Sequence, residues 1–562
     1  MPVTPRSIIN SLPPYKKPQE GRYDFARLDF NENTKGFSEL LGCSDLPCEL
    51  FNTYPEYDKL YAKIAEYYSV LKDNLILTNG SDEGISIISY SFIEAGMDRA
   101  IVSDPCFAII PHSLKLAGAT ICAVRVNSDL SFNLKGIEAE LASGAKMAFF
   151  ASPENPTGAV LNCKQVSTWC KKYPETLFVI DEAYGEYNDT SCLSLIKEFD
   201  NLLVLKTFSK AWGMAGLRLG MVFGKQELIE ILARVKLPYS VNAAAVWMAQ
   251  KLLENAERVK MEVKDSLIRL DNLASEIEQR GYRVKRGQSN SVLIEMGYLA
   301  KRFTEFCREQ SVLVRDRSEL IDGMVRVSTG TIEENDKFLQ VLDKFSKSFG
   351  VMFDLDDTIV DTSKSFAKVV EKLVEQYTGI PLKEGELRSL KAEGGYNDDW
   401  VATQELIRRR GFEADIEDIV LTAIPMYREI ATQAEELLCD LNLLETLRKR
   451  HKVFVVTGRC RIEYDPVWGE RLDPFFDQIY CVGDRPDLQV KPSGDYLAAC
   501  MQENELTDAI YIGNSVDDVA AALSIKLEAF GVTTTLDAEQ LTKSGASRVM
   551  NSVDELKELL GL

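Results

Sequence analysis

The residues best suited to chemistry lie in Thr207-Phe208-Ser209-Lys210-Ala211-Trp212-Gly213-Met214-Ala215-Gly216-Leu217-Arg218-Leu219-Gly220. A lysine just after hydroxyl residues, with an arginine eight positions on, suits one task. The amine can condense with the aldehyde of a cofactor, while Thr207, Ser209 and Arg218 hold that cofactor's phosphate. The glycines and small residues suit a chain that passes close to a ligand. Ahead of them, the apolar run Asn201-Leu202-Leu203-Val204-Leu205 predicts a buried strand that delivers the lysine at its end.

Other segments supply what such a cofactor needs. Leu75-Ile76-Leu77-Thr78 predicts a strand, followed by Asn79-Gly80-Ser81-Asp82-Glu83-Gly84 and the largely apolar run Ile85 to Phe92. A strand, a Gly-Ser turn and a helix start present free N–H groups and the positive end of the helix dipole to an anion. Ser81 or Asp82 could equally serve as a plain helix cap. Ile101-Val102-Ser103-Asp104 ends in a proline turn carrying Phe107, and the strand Met147-Ala148-Phe149-Phe150-Ala151 leads into Ser152-Pro153-Glu154-Asn155-Pro156-Thr157-Gly158. Thr176 to Ile180 predicts a strand that ends in Asp181, with Tyr184 three residues later. An aspartate beside a pyridine nitrogen keeps it protonated and makes the ring an electron sink, and Tyr184 can donate to the ring oxygen.

The order of these pieces resembles fold-type-I pyridoxal-phosphate aminotransferases over roughly the first 340 residues. The resemblance implies an α/β fold with large and small domains, bound pyridoxal 5'-phosphate and a homodimer. It also implies that Phe107 stacks on the pyridine ring, where tyrosine is usual, and that Asn155 hydrogen-bonds the ring oxygen. Asn31-Glu32-Asn33 and Tyr54-Pro55-Glu56 resemble the start of the histidinol-phosphate branch, in which the tyrosine reaches the neighbouring subunit's cofactor phosphate. Ser311-Val312-Leu313-Val314 predicts a short strand delivering Arg315, and Arg326 follows eleven residues on. In the general family the later arginine grips the substrate carboxylate; in the histidinol-phosphate branch both are expected on a substrate phosphate. A guanidinium suits either anion, so its chemistry does not choose.

Asp343 to Gly350 reads as a short polar joint between an aminotransferase unit, 1–346, and a second unit, 350–562. There Val351-Met352-Phe353-Asp354-Leu355-Asp356-Asp357-Thr358 resembles the D-x-D-x-T opening of haloacid-dehalogenase-superfamily phosphatases. That resemblance makes Asp354 the nucleophile on phosphorus and Asp356 the acid that protonates the leaving alcohol. Val453 to Val456 predicts a strand ending in Thr457, a holder of phosphoryl oxygens, and Lys491 would neutralise the phosphate. Tyr511-Ile512-Gly513-Asn514-Ser515-Val516-Asp517-Asp518 would bring carboxylates to Mg²⁺, a hard cation wanting oxygen ligands. The metal set expected is thus Asp354, Asp356, Asp517 and Asp518. Asn514 departs from the pattern, standing where the superfamily places an acid. Residues 365–445 read as a mostly helical insert with Gly394-Gly395-Tyr396-Asn397-Asp398-Asp399-Trp400, in the chain position of the superfamily's cap over a Rossmann-like domain.

Composition bounds the rest. The chain has 562 residues, too many for one core. A formal charge of −21 argues against nucleic acid and anionic membrane as partners, and no apolar run approaches the ~20 residues that span a bilayer. The start lacks a secretory h-region, and twelve cysteines without a C-x-x-C pair favour free thiols in a reducing cytoplasm. With two histidines, a histidine base or histidine-rich metal site is not expected. The reading is a bifunctional cytoplasmic enzyme: transamination of a keto-phosphate with a small-molecule amino donor, then Mg²⁺-dependent hydrolysis of the amino-phosphate. The alternatives are another acetol phosphate such as dihydroxyacetone phosphate, or a decarboxylase or lyase with a non-catalytic second unit. A transcription regulator on the same fold is disfavoured, because no basic DNA-binding segment is visible.

Overall fold

In the computed structural model the described residues are 21–562, except 38–39, 41–46, 48–49, 51, 384, 394–395 and 397. Gly394, Gly395 and Asn397 of the insert fall outside them. The chain divides into two compact units, Met1–Val341 and Leu342–Leu562.

The first unit is built on a seven-stranded sheet. Taken by first residue, the strands lie in the order 75, 220, 202, 177, 147, 99, 120. Six are parallel, and Gly220–Phe223 runs antiparallel to both its neighbours. The central strands Met147–Ala151, Leu177–Asp181 and Leu202–Thr207 are buried at every position. That explains why they read as unbroken apolar runs rather than alternating ones. Successive side chains nonetheless go to opposite faces. Phe150, Ile180 and Val204 join one core cluster, while Phe149, Val179 and Leu205 join another. The sheet is therefore the wall between two cores, each covered by helices.

A four-stranded antiparallel sheet follows, ordered Arg315–Asp316, Met324–Ser328, Ser291–Glu295, Val284–Arg286. The helices Gln226–Val235, Ala243–Glu254 and Ala256–Gln279 lead to it. The N-terminal segment is stitched in by the pair Ala26–Arg27 with Val312–Leu313, and the Asn31 N–H donates to Ser328 Oγ at 3.0 Å.

The stretch 343–350, expected as a polar joint, is largely helical. A helix, Ile332–Ser348, continues through those residues, and the strand Phe349–Phe353 starts at once. Leu342, Phe345 and Phe349 are buried, so the polar residues among them are one face of an amphipathic helix rather than a linker.

The second unit is a six-stranded parallel sheet, by first residue 478, 452, 349, 508, 528, 548. The expected helical insert is present as Phe366–Thr378, Glu386–Ala392, Asp399–Arg409 and Ile416–Ala434. The strand expected to end at Thr457 runs from Lys452 to Cys460, with its register shifting between Val456 and Cys460. Arg459, within this extension, is buried.

His451 sits in this unit with its ring edge-on to Phe345 and Phe349, at 6.2 and 5.4 Å between centroids. Neither ring nitrogen has a hydrogen-bond partner among the described residues. Burial, reinforced by the neighbouring Arg450 charge, pushes its pKa well below the usual histidine value. As pH falls below about 6.5, the unfolded chain takes up a proton that the folded chain refuses, so stability declines. The expected slope from this one group is about 1.4 kcal/mol per pH unit. Thermal unfolding of the protein and its His451→Phe variant at pH 7.5 and 5.5 tests this. The variant should lose less stability between the two, the difference cancelling the carboxylates common to both; equal losses would refute it.

Candidate active sites

In the first unit the chemistry gathers at one edge of the seven-stranded sheet. Asp181 and Thr207 are the last residues of their strands, Phe107 and Asn155 follow strand ends, and Gly80 follows Leu75–Thr78. Arg218 precedes the antiparallel strand Gly220–Phe223 and so reaches the same edge. This is the carboxyl edge, where open α/β sheets take ligands. A cavity of about 360 Å³ opens there, lined by Lys210 and by all the residues just named except Gly80.

Lys210 Nζ donates to the Phe30 carbonyl at 2.8 Å and lies 5.6 Å from the centroid of the Tyr184 ring. At one end of the cavity Arg218 Nη2 pairs with Asp82 at 2.7 Å, while Nη1 is 3.4 Å from Ser209 Oγ. Thr207 Oγ1 donates to Ser209 Oγ at 3.0 Å. Gly80, at φ +76°, opens the helix Gly80–Phe92. That backbone conformation favours glycine, and a Cβ there would come within 2.5 Å of the Arg218 guanidinium, which would have to shift. Hydroxyls, a guanidinium and a helix N-terminus thus face one spot, the donor set of a phosphate site.

Asp181 lies deeper. It is 2% exposed, accepts the Ala183 N–H at 3.0 Å, and burial pushes its pKa up to about 7. A cation placed against it, such as a protonated ring nitrogen, would favour its charged form. Asn155 Nδ2 is 3.4 Å from the Tyr184 hydroxyl, so both can donate toward one acceptor. The phosphate donors and the buried acid fit pyridoxal 5'-phosphate, with Lys210 between them.

Arg315 and Arg326 face each other across antiparallel strands in direct register, and both line the cavity. Arg326 is buried and hydrogen-bonds Asn155 Oδ1 and the Asp29 carbonyl. The Arg315 guanidinium lies 5.3 Å from the Phe30 ring centroid. Tyr54, like Gly80, does not line the cavity: it is 76% exposed and stacks on Tyr239 at 4.4 Å.

Sequence reading missed several residues here. Arg22, paired with Asp29 at 2.6 Å and Glu32 at 3.0 Å, lines the cavity, as does Arg317. Glu154, inside the string that delivers Asn155, is 1% exposed and accepts from the Ser103 hydroxyl and the Asn155 N–H. Burial pushes its pKa up to about 8. Its place in that string was the available signal; nothing local marked Arg22.

In the second unit Asp354 follows the strand Phe349–Phe353 and is 6% exposed. Lys491 Nζ spans it and Asp518, at 2.5 and 2.7 Å. Burial raises the Asp354 pKa against the pull of that ammonium; Asp518 faces the same burial, but Lys491 and Ser515 hold it below the usual carboxylate range. The Thr358 hydroxyl lies 3.4 Å from Asp354 Oδ2 and 3.3 Å from Asn514 Oδ1. Thr457 is buried and accepts the Arg459 N–H at 3.1 Å.

The four expected metal carboxylates do not gather. Among the described residues no three acidic, histidine or cysteine groups are placed to hold a metal together. Asp356 is drawn to Arg459, and Asp517 is half-buried beside Asp518. Magnesium commonly takes only one or two carboxylates, with water and substrate phosphate completing its shell. The buried pair Asp354 and Asp518 meets that requirement.

Arg459 was not anticipated. Its side chain is fully buried, pairs with Asp356, and lies 3.0 Å from Glu435. Glu435 also accepts from Ser365 (2.6 Å), Tyr427 (3.0 Å) and Trp468 (2.6 Å). Its partners come from the helical insert, the strand Lys452–Cys460 and the short helix Asp465–Gly469, and no local pattern announces a contact assembled from such distant segments.

Comparison with known proteins follows this division. The family described as aminotransferase class I and II matches residues 44–342, and haloacid dehalogenase-like hydrolase matches residues 351–532. A histidinol-phosphate aminotransferase of Christiangramia forsetii is 31% identical over 291 residues, 51% of this chain and 83% of that protein. One from Thermococcus gammatolerans is 30% identical over 353 residues, 60% of this chain and 96% of that one. Among solved structures, the histidinol-phosphate aminotransferase from Sinorhizobium meliloti in complex with pyridoxal-5'-phosphate gives a TM-score of 0.55 at 20% identity, covering 60% and 96% of the two chains. The L-threonine-O-3-phosphate decarboxylase from Porphyromonas gingivalis gives 0.51 at 22%, covering 57% and 98%. At such identities these two show the fold alone. No described helix is long and apolar enough to cross a membrane.

Proposed function

Because this chain belongs to the class I and II aminotransferase family and carries a haloacid dehalogenase-like hydrolase domain after it, we propose that it aminates a keto-phosphate and then hydrolyses the resulting phosphate monoester. The carrying observation is the Arg315–Arg326 pair. Like charges directly opposite across antiparallel strands destabilise a sheet. Both guanidiniums line the Lys210 cavity, where a doubly charged substrate phosphate offsets that repulsion. A monoanionic carboxylate would do so less completely. The histidinol-phosphate aminotransferases among the relatives fit this choice, making an imidazole-bearing acetol phosphate the first substrate to try.

In this reading Arg218, Ser209, Thr207 and the Ser81 end of its helix hold the cofactor phosphate, and Phe107 covers the ring. Asp181 keeps the ring nitrogen protonated, and Asn155 and Tyr184 donate to the ring oxygen. Bound there, pyridoxal 5'-phosphate supplies an electron sink for a substrate C–H bond. Lys210 Nζ carries the proton between that substrate carbon and C4′ of the cofactor. In the second unit Asp354 attacks phosphorus, Lys491 and Thr457 balance charge on the phosphoryl oxygens, and Asp356 protonates the departing oxygen. Asp354 and Asp518 would hold Mg²⁺. The exposed Tyr54–Tyr239 stack supports a homodimer in which Tyr54 serves the neighbouring cofactor.

The direct test is a screen of keto-phosphates against the aminated cofactor, following its absorbance. Conversion by keto-phosphates supports the reading, whether or not the keto-acid formed from the amino donor also converts it, and conversion by keto-acids alone refutes it. Arg315→Ala should raise the KM for the keto-phosphate roughly ten- to a hundredfold, the worth of a charge-assisted bidentate contact. An unchanged KM would take Arg315 out of substrate binding. Phosphate release should disappear on chelation and return with Mg²⁺, while amino transfer persists throughout. Turnover surviving exhaustive chelation would remove the metal from this reading.

A further inference from the structure

The described cysteines are free thiols, and two of them stand apart from the rest. The Cys192 thiol donates to Cys163 Sγ across 3.2 Å, so a rotation that closes the gap by about 1.2 Å reaches disulfide length. Cys163 is the first residue of the helix Cys163–Lys172, behind the Asn162 cap, and is half-exposed. A helix N-terminus favours a thiolate there, and the Cys192 thiol donated to it holds its pKa below the usual thiol value. Elsewhere burial acts the other way, pushing Cys170, Cys439, Cys460 and Cys481 up to about 12. Cys192 is buried, its N–H donating to Glu182 Oε1 at 2.5 Å, while the Ser191 hydroxyl donates to Oε2 at 2.6 Å.

We propose that Cys163 and Cys192 form a dithiol modification site, in which a peroxide oxidises Cys163 and Cys192 resolves it to a disulfide. The Cys163 thiolate attacks one peroxide oxygen, the O–O bond breaks, and hydroxide leaves. Sulfur has then lost two electrons to the peroxide and is a sulfenic acid. The Cys192 sulfur attacks that sulfur and the S–O bond breaks. The departing hydroxide takes the Cys192 proton as water, and an S–S bond remains. Overall, two thiols and hydrogen peroxide give one disulfide and two waters. The bridge closes a chain segment with 29 residues of separation, and that segment contains Asp181 and Tyr184. Oxidation therefore cross-links the stretch on which the Lys210 cavity depends, whatever substrate that cavity takes.

Hydrogen peroxide on the full reduced chain, quenched with an alkylating agent and followed by peptide mass spectrometry, tests this. A Cys163–Cys192 cross-linked peptide, two hydrogens lighter and reversed by dithiothreitol, is expected before any other described cysteine is modified. In the reduced chain, iodoacetamide should label Cys163 roughly tenfold faster than Cys122 or Cys460, which are equally half-exposed. Cys192→Ser should leave a sulfenic acid on Cys163 that dimedone traps, and Cys163→Ser should leave Cys192 untouched. The oxidised chain should melt higher, by on the order of 5 °C, because its geometry is nearly preformed. Sulfinic acid at Cys163 with Cys192 still a thiol, a bridge to another cysteine, or a lower melting temperature would overturn the proposal, and the unsubstituted chain suffices for each of these readings.

Discussion

Lys210→Ala should abolish amino transfer and erase the absorption of the lysine-bound cofactor, while phosphate release from a monoester continues at its original rate. Lys210 is the one lysine among the described residues lining the cavity, which Arg218 and the buried Asp181 also line. Its loss removes both the covalent anchor and the base that moves the substrate proton. General-base catalysis alone contributes about 10²–10⁴-fold, and losing the anchor adds to that. The phosphatase should be indifferent, because its groups belong to the separate unit Leu342–Leu562. The spectral readout keeps the prediction independent of any assumed substrate. A variant that retains the band, or transaminates within tenfold of the parent, would remove Lys210 from the mechanism.

Asp354→Asn should have the complementary effect. Removing a nucleophile from a hydrolase costs on the order of 10⁶ in turnover, and an amide cannot replace a carboxylate in attack on phosphorus. The substitution is nearly isosteric, but it replaces the anion that Lys491 holds at 2.5 Å, so Lys491 should turn wholly to Asp518. Circular dichroism should show the fold intact. With the aminotransferase unit still working, a keto-phosphate and amino donor should then accumulate an amino-phosphate with no inorganic phosphate. Feeding that product to Lys210→Ala should release the phosphate. If it does not, while another monoester is hydrolysed well, the two activities are fused without being consecutive.

The groups of the proposed cofactor site were legible because they sit at strand ends, where a short string carries both the element and the side chain. Asp181, Asn155, Thr207 and Lys210 each follow an apolar run that folds as a buried strand. Arg315 and Arg326 were legible as arginines, but their register was not: facing positions across strands depend on pairing, which local patterns do not encode. Arg459 and Glu435 were illegible for the same reason in stronger form. A fully buried ion pair is favourable only when several segments close around it, and those segments are scattered from Ser365 to Trp468. The helix running through 343–348 was not legible, because an amphipathic helix exposes polar residues at the density of a linker. Asn514 was legible as a departure; the structure adds that its amide accepts from the Thr358 hydroxyl and donates to Thr535.

The stitching of Asn31 to Ser328 bears on how the chain is made. The two residues lie 297 positions apart, yet the Asn31 N–H is satisfied by Ser328 and its carbonyl accepts from Asn290. During synthesis at roughly 5–20 residues per second, Asn31 leaves the ribosome about 15–60 s before Ser328 does. For that interval the segment around Ala26–Arg27 has no strand to join, since Val312–Leu313 does not yet exist. The seven-stranded sheet, complete by Phe223, can form while the N-terminal segment waits. Nascent chains arrested near residue 280 should therefore protect the sheet from protease and leave Arg22–Asn33 open to cleavage, and chains arrested past the second unit should protect both.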